Sequence, residues 1–213
     1  MDDSKETGRV EAFSDGVFAV AITLLVLNIQ PPSLSTPQLL VDSALSDYLR
    51  HQLPMLLAFV TSFATIGIMW INHHRLFIHI KRTDNTLLVL NLLLLLVIVF
   101  IPYPTALLAQ QYAVYPSGNL AAKVYCGTDV IMAVCFNLLW RYASYHNRLL
   151  SKNADIRAVR AITKQYWFGP IVYFFAFILA LFSTPASLTL NFLLALFFAI
   201  PPRLPRSLSE QSY

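Results

Sequence analysis

The stretch from Arg9 to Ile29, RVEAFSDGVFAVAITLLVLNI, has the length of a membrane span and carries charge inside it. A span needs about 20 largely apolar residues to cross a hydrocarbon core about 30 Å thick. Ala12 to Ile29 supplies 18 residues, so Asp15 lies in the membrane or at its edge. An ionisable residue there is costly and marks a function or a structural pair. Phe13, Val17, Val20, Leu24 and Leu27 recur at steps of three and four, with Thr23 beside Leu24. Such steps place side chains on one stripe of a helix. On a helix that is apolar all round, ordinary packing explains the stripe as well as a special face does.

Five more apolar runs follow. They place helices at about 8–29, 53–71, 86–108, 120–145, 164–183 and 186–201, with a cytoplasmic tail at 202–213. The fold expected is all-α: a single polytopic domain with six transmembrane helices. Composition agrees, since 57% of the 213 residues are hydrophobic and 12% are charged, against about 45–50% and about 25% in soluble domains. Gln30 to Asp47, with Pro31, Pro32 and Pro37, reads as a loop. Ile71 to Asn85 and His146 to Lys164 read as polar connections, the second the more basic; in the first, apolar and basic residues interleave, which allows part of it to continue as helix beyond the bilayer. Pro102 and Pro104 bend or end the third run, and Gly169–Pro170 falls in the first turn of the fifth. The start MDDSKETGR does not read as a cleavable signal peptide.

Six spans put the 15 basic residues almost entirely on one side, with only Arg50 and Lys123 on the other. Basic residues stay cytoplasmic, which places both termini inside. The charge of +4 is spread along membrane edges, not gathered in a patch, so nucleic acid is not an expected partner.

The string Arg9-x-x-x-Phe13-Ser14-Asp15, continued by GVFAVAITLLVL, resembles the first helix of the transmembrane protein 175 family of lysosomal and prokaryotic potassium channels. The resemblance implies a homotetramer whose first helices line the pore. Bulky apolar residues would form its constriction and a threonine would contribute to cation selectivity. By distance from the aspartate those positions fall on Val20, Leu24, Leu27 and Thr23. Val20 departs from the family, where isoleucine or leucine is more usual. A single six-helix unit resembles the prokaryotic branch, implying the inner or plasma membrane of a prokaryote. The expected activity is passive conduction of potassium, and of other monovalent cations less readily, with modest selectivity over sodium. No cofactor is implied; the partners are other copies of the chain, the permeant ions and membrane lipid.

Arg9 and Asp15 are six residues apart and therefore point to different sides of the helix. Each needs a partner elsewhere, with Trp70, Asn72, His73, His74 and Asn91 available. The resemblance makes Arg9, Phe13, Ser14, Asp15, Trp70 and His73 a network that ties helices together, in preference to a proton relay. His73, His74 and His79 lack the nearby Cys or acid that a tetrahedral zinc site requires, and read as interfacial histidines that bond locally. Asp129, in the fourth run, could bond another helix, line an outer vestibule or sit hydrated near the interface. Cys126 and Cys135, roughly 13 Å apart along one helix, are too distant for a disulfide.

No TVGYG filter, G-x-S-x-G, H-E-x-x-H or glycine-rich phosphate loop occurs, so an enzyme is not expected. The rival reading is a proton-coupled secondary transporter that uses Asp15 and Asp129. Transporters usually carry internal repeats, and the Phe-Ser-Asp string occurs once.

Overall fold

The computed structural model describes residues 3–29, 31, 41–115, 118–151 and 154–200. The helices are α1 (Asp3–Leu24), α2 (Asp42–His51), α3 (Leu53–His79), α4 (Asn85–Phe100), α5 (Pro102–Val114), α6 (Leu120–Ser144), α7 (Ile156–Leu179) and α8 (Thr184–Ala199). Helices suit such a sequence because hydrocarbon offers the backbone no water to bond. Four stretches are long and apolar enough to cross a membrane: Thr7–Asn28, Met55–His79, Asn85–Gln111 and Leu120–Asn147. With α7, of 24 residues, and the shorter apolar α8, of 16, the arrangement is consistent with six transmembrane helices.

Several sequence-based boundaries need correction. The second helix does not stop at 71 but runs to His79. Leu76 and Phe77 are buried in the core, and His73, His74 and Arg75 find partners on α4, α1 and α8, so nothing ends the helix there. Within the expected loop Gln30–Asp47, Asp42 onward is helical as α2, which has no buried residue; residue 30 and residues 32–40 lie outside the described set, as does the expected tail. The third run is split at Ile101, where α5 starts on Pro102, and it reaches Val114 instead of 108.

The basic connection His146–Lys164 is half helix. Asp155 caps α7 by accepting the Arg157 N–H at 2.8 Å, so α7 begins eight residues before the expected 164. Gly169–Pro170 therefore sits inside α7, not in its first turn. Proline cannot donate to the carbonyl four residues back. That carbonyl, Tyr166 O, accepts from Asn137 Nδ2 of α6 at 2.8 Å. A neighbouring helix thus replaces the bond the proline removes.

α6 lies along α7 and also packs on α4 and α5, while α3 packs on α1, α5 and α8. The main core gathers Leu25, Ile66, Leu76, Leu94, Ile98, Met132, Leu139 and Trp140. Successive spans alternate in direction. One end, the basic end, holds Lys81, Arg82, Arg141 and Arg148, and is laced by the Ile80–Leu150 bridge. The opposite end holds the α7–α8 hairpin, where Asn119 Nδ2 donates to Leu181 O at 3.1 Å.

Candidate functional site

α1 has a buried face and a bare one. Ser14, Phe18, Ala21 and Leu25 keep 0–2% of their surface. Their spacing of four, three and four points one stripe at the bundle. Phe13, Val20, Leu24 and Leu27 keep 57, 54, 39 and 67% and lie along one side of the exposed face, which also holds Val26 at 52%. Leu25–Asn28 winds as a 3-10 turn, in which residues three apart eclipse one another. Leu24 and Leu27 therefore line up along the axis. The Thr23 hydroxyl bonds its own helix, donating to Ala19 O and Val20 O, both at 2.9 Å. Its oxygen lone pairs stay on the exposed side.

Toward the basic end, α1 is braced by a chain of polar bonds. Ser14 Oγ donates to Val10 O at 2.8 Å and accepts from Asn91 Nδ2 of α4 at 2.9 Å. Asn91 Oδ1 lies 2.9 Å from His73 Nε2 of α3. An amide oxygen only accepts, so Nε2 must carry the proton there. The His73 ring stacks on Phe77 at 4.5 Å and tilts against Phe18 at 5.4 Å. Its Nδ1 is buried without a partner among the described residues.

Trp70 Nε1 donates to Asp15 Oδ1 at 2.8 Å, and His74 Nδ1 meets Glu11 Oε1 at 2.6 Å. Of the expected network the structure thus brings together Ser14, Asp15, Trp70 and His73. Phe13 turns to the bare face instead. Arg9 is exposed and makes no ion pair among the described residues; it lines a groove of about 570 Å³ with Phe13, Thr83, Asp84 and Asn91. Glu11 was not singled out in the sequence, although its spacing of three and four from Ser14 and Asp15 places it on their side of the helix.

The loops at the basic end are clasped by Asp84. Its carboxylate caps α4 through the Leu87 N–H at 2.9 Å, accepts from the Tyr142 hydroxyl at 2.7 Å and lies 3.7 Å from Arg148 Nε. The Arg148 guanidinium also covers the Tyr142 ring at 5.0 Å. Burial alone would raise the pKa of Asp84. The two hydrogen bonds and Arg148 outweigh it and hold the carboxyl below its usual range. Across the clasp, Lys81 and Arg82 donate backbone N–H groups to Leu149 O at 2.9 and 3.1 Å.

Asp129 is 3% exposed inside the bundle, and no hydrogen bond from its side chain to another helix is present among the described residues. Among those residues no three His, Cys, Asp or Glu side chains converge on a metal-sized site, and both cysteines are free.

Residues 9–102 match the family model described as "Endosomal/lysosomal potassium channel TMEM175". The chain is 48% identical over 200 residues to a potassium channel of Chamaesiphon minutus, covering 93% of this chain and 96% of that one. It is 42% identical over 193 residues to a potassium channel of Streptomyces collinus, covering 91% of each. Its fold superposes on the crystal structure of a lysosomal potassium-selective channel TMEM175 homolog from Chamaesiphon minutus with a TM-score of 0.79. That match has 46% identity and covers 92% of this chain and 97% of the other.

Proposed function

The chain belongs to the TMEM175 family of potassium channels, and on that premise we propose that it conducts potassium passively through a pore built by four copies of α1. The observation that carries the reading is the bare apolar stripe of Phe13, Val20, Leu24 and Leu27 on a helix whose other face is buried. One α1 cannot enclose a path. Several around an axis would turn the stripe into stacked rings, narrowest where Leu24 and Leu27 align. A ring of that kind impedes ions by dewetting. Thr23 adds an oxygen acceptor at the same level, which supports modest preference for potassium over sodium.

The polar chain from Ser14 through Asn91 to His73, with Trp70 on Asp15, supports the reading from behind. A constriction set by side-chain size needs a helix that does not rotate, and bonds to α3 and α4 fix its azimuth. The carrier alternative draws no comparable support, because Asp15 is held by Trp70 and Asp129 is enclosed in the bundle. The asymmetry of basic residues supports a multi-pass prokaryotic cell-membrane protein with both termini and the Asp84 clasp in the cytoplasm.

The test uses Leu24→Cys and Ala21→Cys, each with Cys126 and Cys135 changed to alanine, in potassium-loaded liposomes. A cationic thiol reagent should block efflux through Leu24→Cys and leave Ala21→Cys unaffected, since Ala21 is fully buried. Efflux that survives complete labelling of Leu24→Cys would remove α1 from the pore.

A further inference from the structure

α6 carries a carboxyl group where the fold supplies no opposing charge. Asp129 is 3% exposed, and the described ion pairs involve Asp47, Glu11, Asp84 and Asp155 only. No Lys, Arg or His occurs on α5 or α8. None occurs from Leu53 to Asn72 of α3, from Val124 to Trp140 of α6 or from Gln165 to Leu179 of α7. An ionised carboxylate without a partner in such surroundings is among the costliest groups a protein can bury.

The groups around it are polar but uncharged. From α6 come Tyr125 and Cys126, and Thr128, whose hydroxyl is spent on Val124 O. From α7 comes Tyr173, whose hydroxyl is buried without a partner among the described residues. From α8, Asn191 donates Nδ2 to Cys126 Sγ at 3.0 Å, one turn before Asp129, and leaves Oδ1 buried and unpartnered among the described residues. From α3, Ser62 and Thr65 bond the Tyr125 hydroxyl, and Thr105 of α5 bonds Ser62 at 2.7 Å.

Hydrogen bonding separates the two states of the acid. A carboxylate only accepts, whereas the neutral acid keeps an acceptor oxygen and adds one O–H. In surroundings that offer no cation, the neutral form avoids an unpaired buried charge.

We propose that Asp129 is a buried proton-binding site, holding its proton at neutral pH so that α6, α7 and α8 close around a neutral acid. Exchange of that proton runs by way of Tyr125, which is one turn away on α6 and lines a groove of about 460 Å³ with Leu57, Thr61, Leu108 and Leu188. The site is independent of the pore, and its test does not depend on conduction.

The sign follows from linkage. The folded chain keeps a proton that the unfolded chain releases above about pH 4, so stability falls as pH rises. Asp129→Asn mimics the neutral acid without needing the proton. Its thermal midpoint should equal or exceed that of wild type at about pH 6, with the gap widening toward about pH 9. Infrared spectra of the wild type at neutral pH should contain a protonated-carboxyl band that Asp129→Asn lacks. The proposal is overturned if that band is absent, if added potassium or sodium abolishes it, or if Asp129→Asn is less stable or does not fold.

Discussion

On one side of α1, Phe18, Ala21 and Leu25 lose essentially all their accessible surface to the bundle. On the other, interleaved with them, Val20, Leu24 and Leu27 keep 54, 39 and 67% of theirs. Hydropathy does not separate the two sets, because lipid, a neighbouring helix and a dry constriction all accept the same side chains. What separates them is the polar bracing. Ser14 and Asp15 are tied to α4 and α3, and those ties choose which stripe turns inward. The bare face is thus defined by the residues that hold the other one.

That difference can be broken most severely from the buried side. Phe18→Ala removes a side chain that is 2% exposed and packs on His73. It should cost about 3–5 kcal/mol in reversible unfolding in detergent, whereas Val20→Ala, on the bare stripe, should cost under about 0.5 kcal/mol. Equal losses would mean that the faces are not distinct. Next in size is Asn91→Ala, which strands the His73 Nε2 donor and removes the tie from Ser14 to α4. A loss of about 1–3 kcal/mol is expected, together with altered conduction, since α1 is then free to turn. Unchanged stability and unchanged flux would remove the bracing role.

A smaller effect comes from the clasp. Asp84→Ala removes the α4 cap and should cost about 1 kcal/mol. The Asp84 carboxyl is held below its usual range in the fold. Its contribution is therefore present above the unfolded value of about 3.9 and fades as pH falls through the lower folded value. Urea titrations of wild type and Asp84→Ala should differ at neutral pH and converge in acid; a gap constant with pH would rule out the charge. Smallest in stability is Thr23→Val, because that hydroxyl bonds only its own helix. The account expects it to lower the potassium-over-sodium permeability ratio, read from reversal potentials, with unfolding unchanged.

The parts legible in the sequence are those that depend on local periodicity. The α1 stripe, the six apolar runs and the need of Asp15 for a partner among Trp70, Asn72, His73, His74 and Asn91 could all be read from spacing and charge. Trp70 is the partner the fold selects. The interleaved apolar and basic residues after Ile71 allow a continuing helix, but its end at His79 could not be read in that way. Asn72 and His73 look like loop residues, and their burial at 3% and 0% depends on Arg75 and Asn91. The place of Pro170 inside α7 is equally non-local, since the freed Tyr166 carbonyl is satisfied by Asn137 from α6. Where a helix ends thus depended on bonds from elsewhere in the chain.

The most direct test of the account is potassium flux from liposomes containing purified protein, wild type and Leu27→Ala, with sodium-loaded controls. A pore narrowed by the bare face of α1 predicts electrically uncompensated potassium flux that rises when Leu27 is trimmed. Absence of flux in the wild type, or flux indifferent to Leu27 and saturating at low potassium, would contradict it.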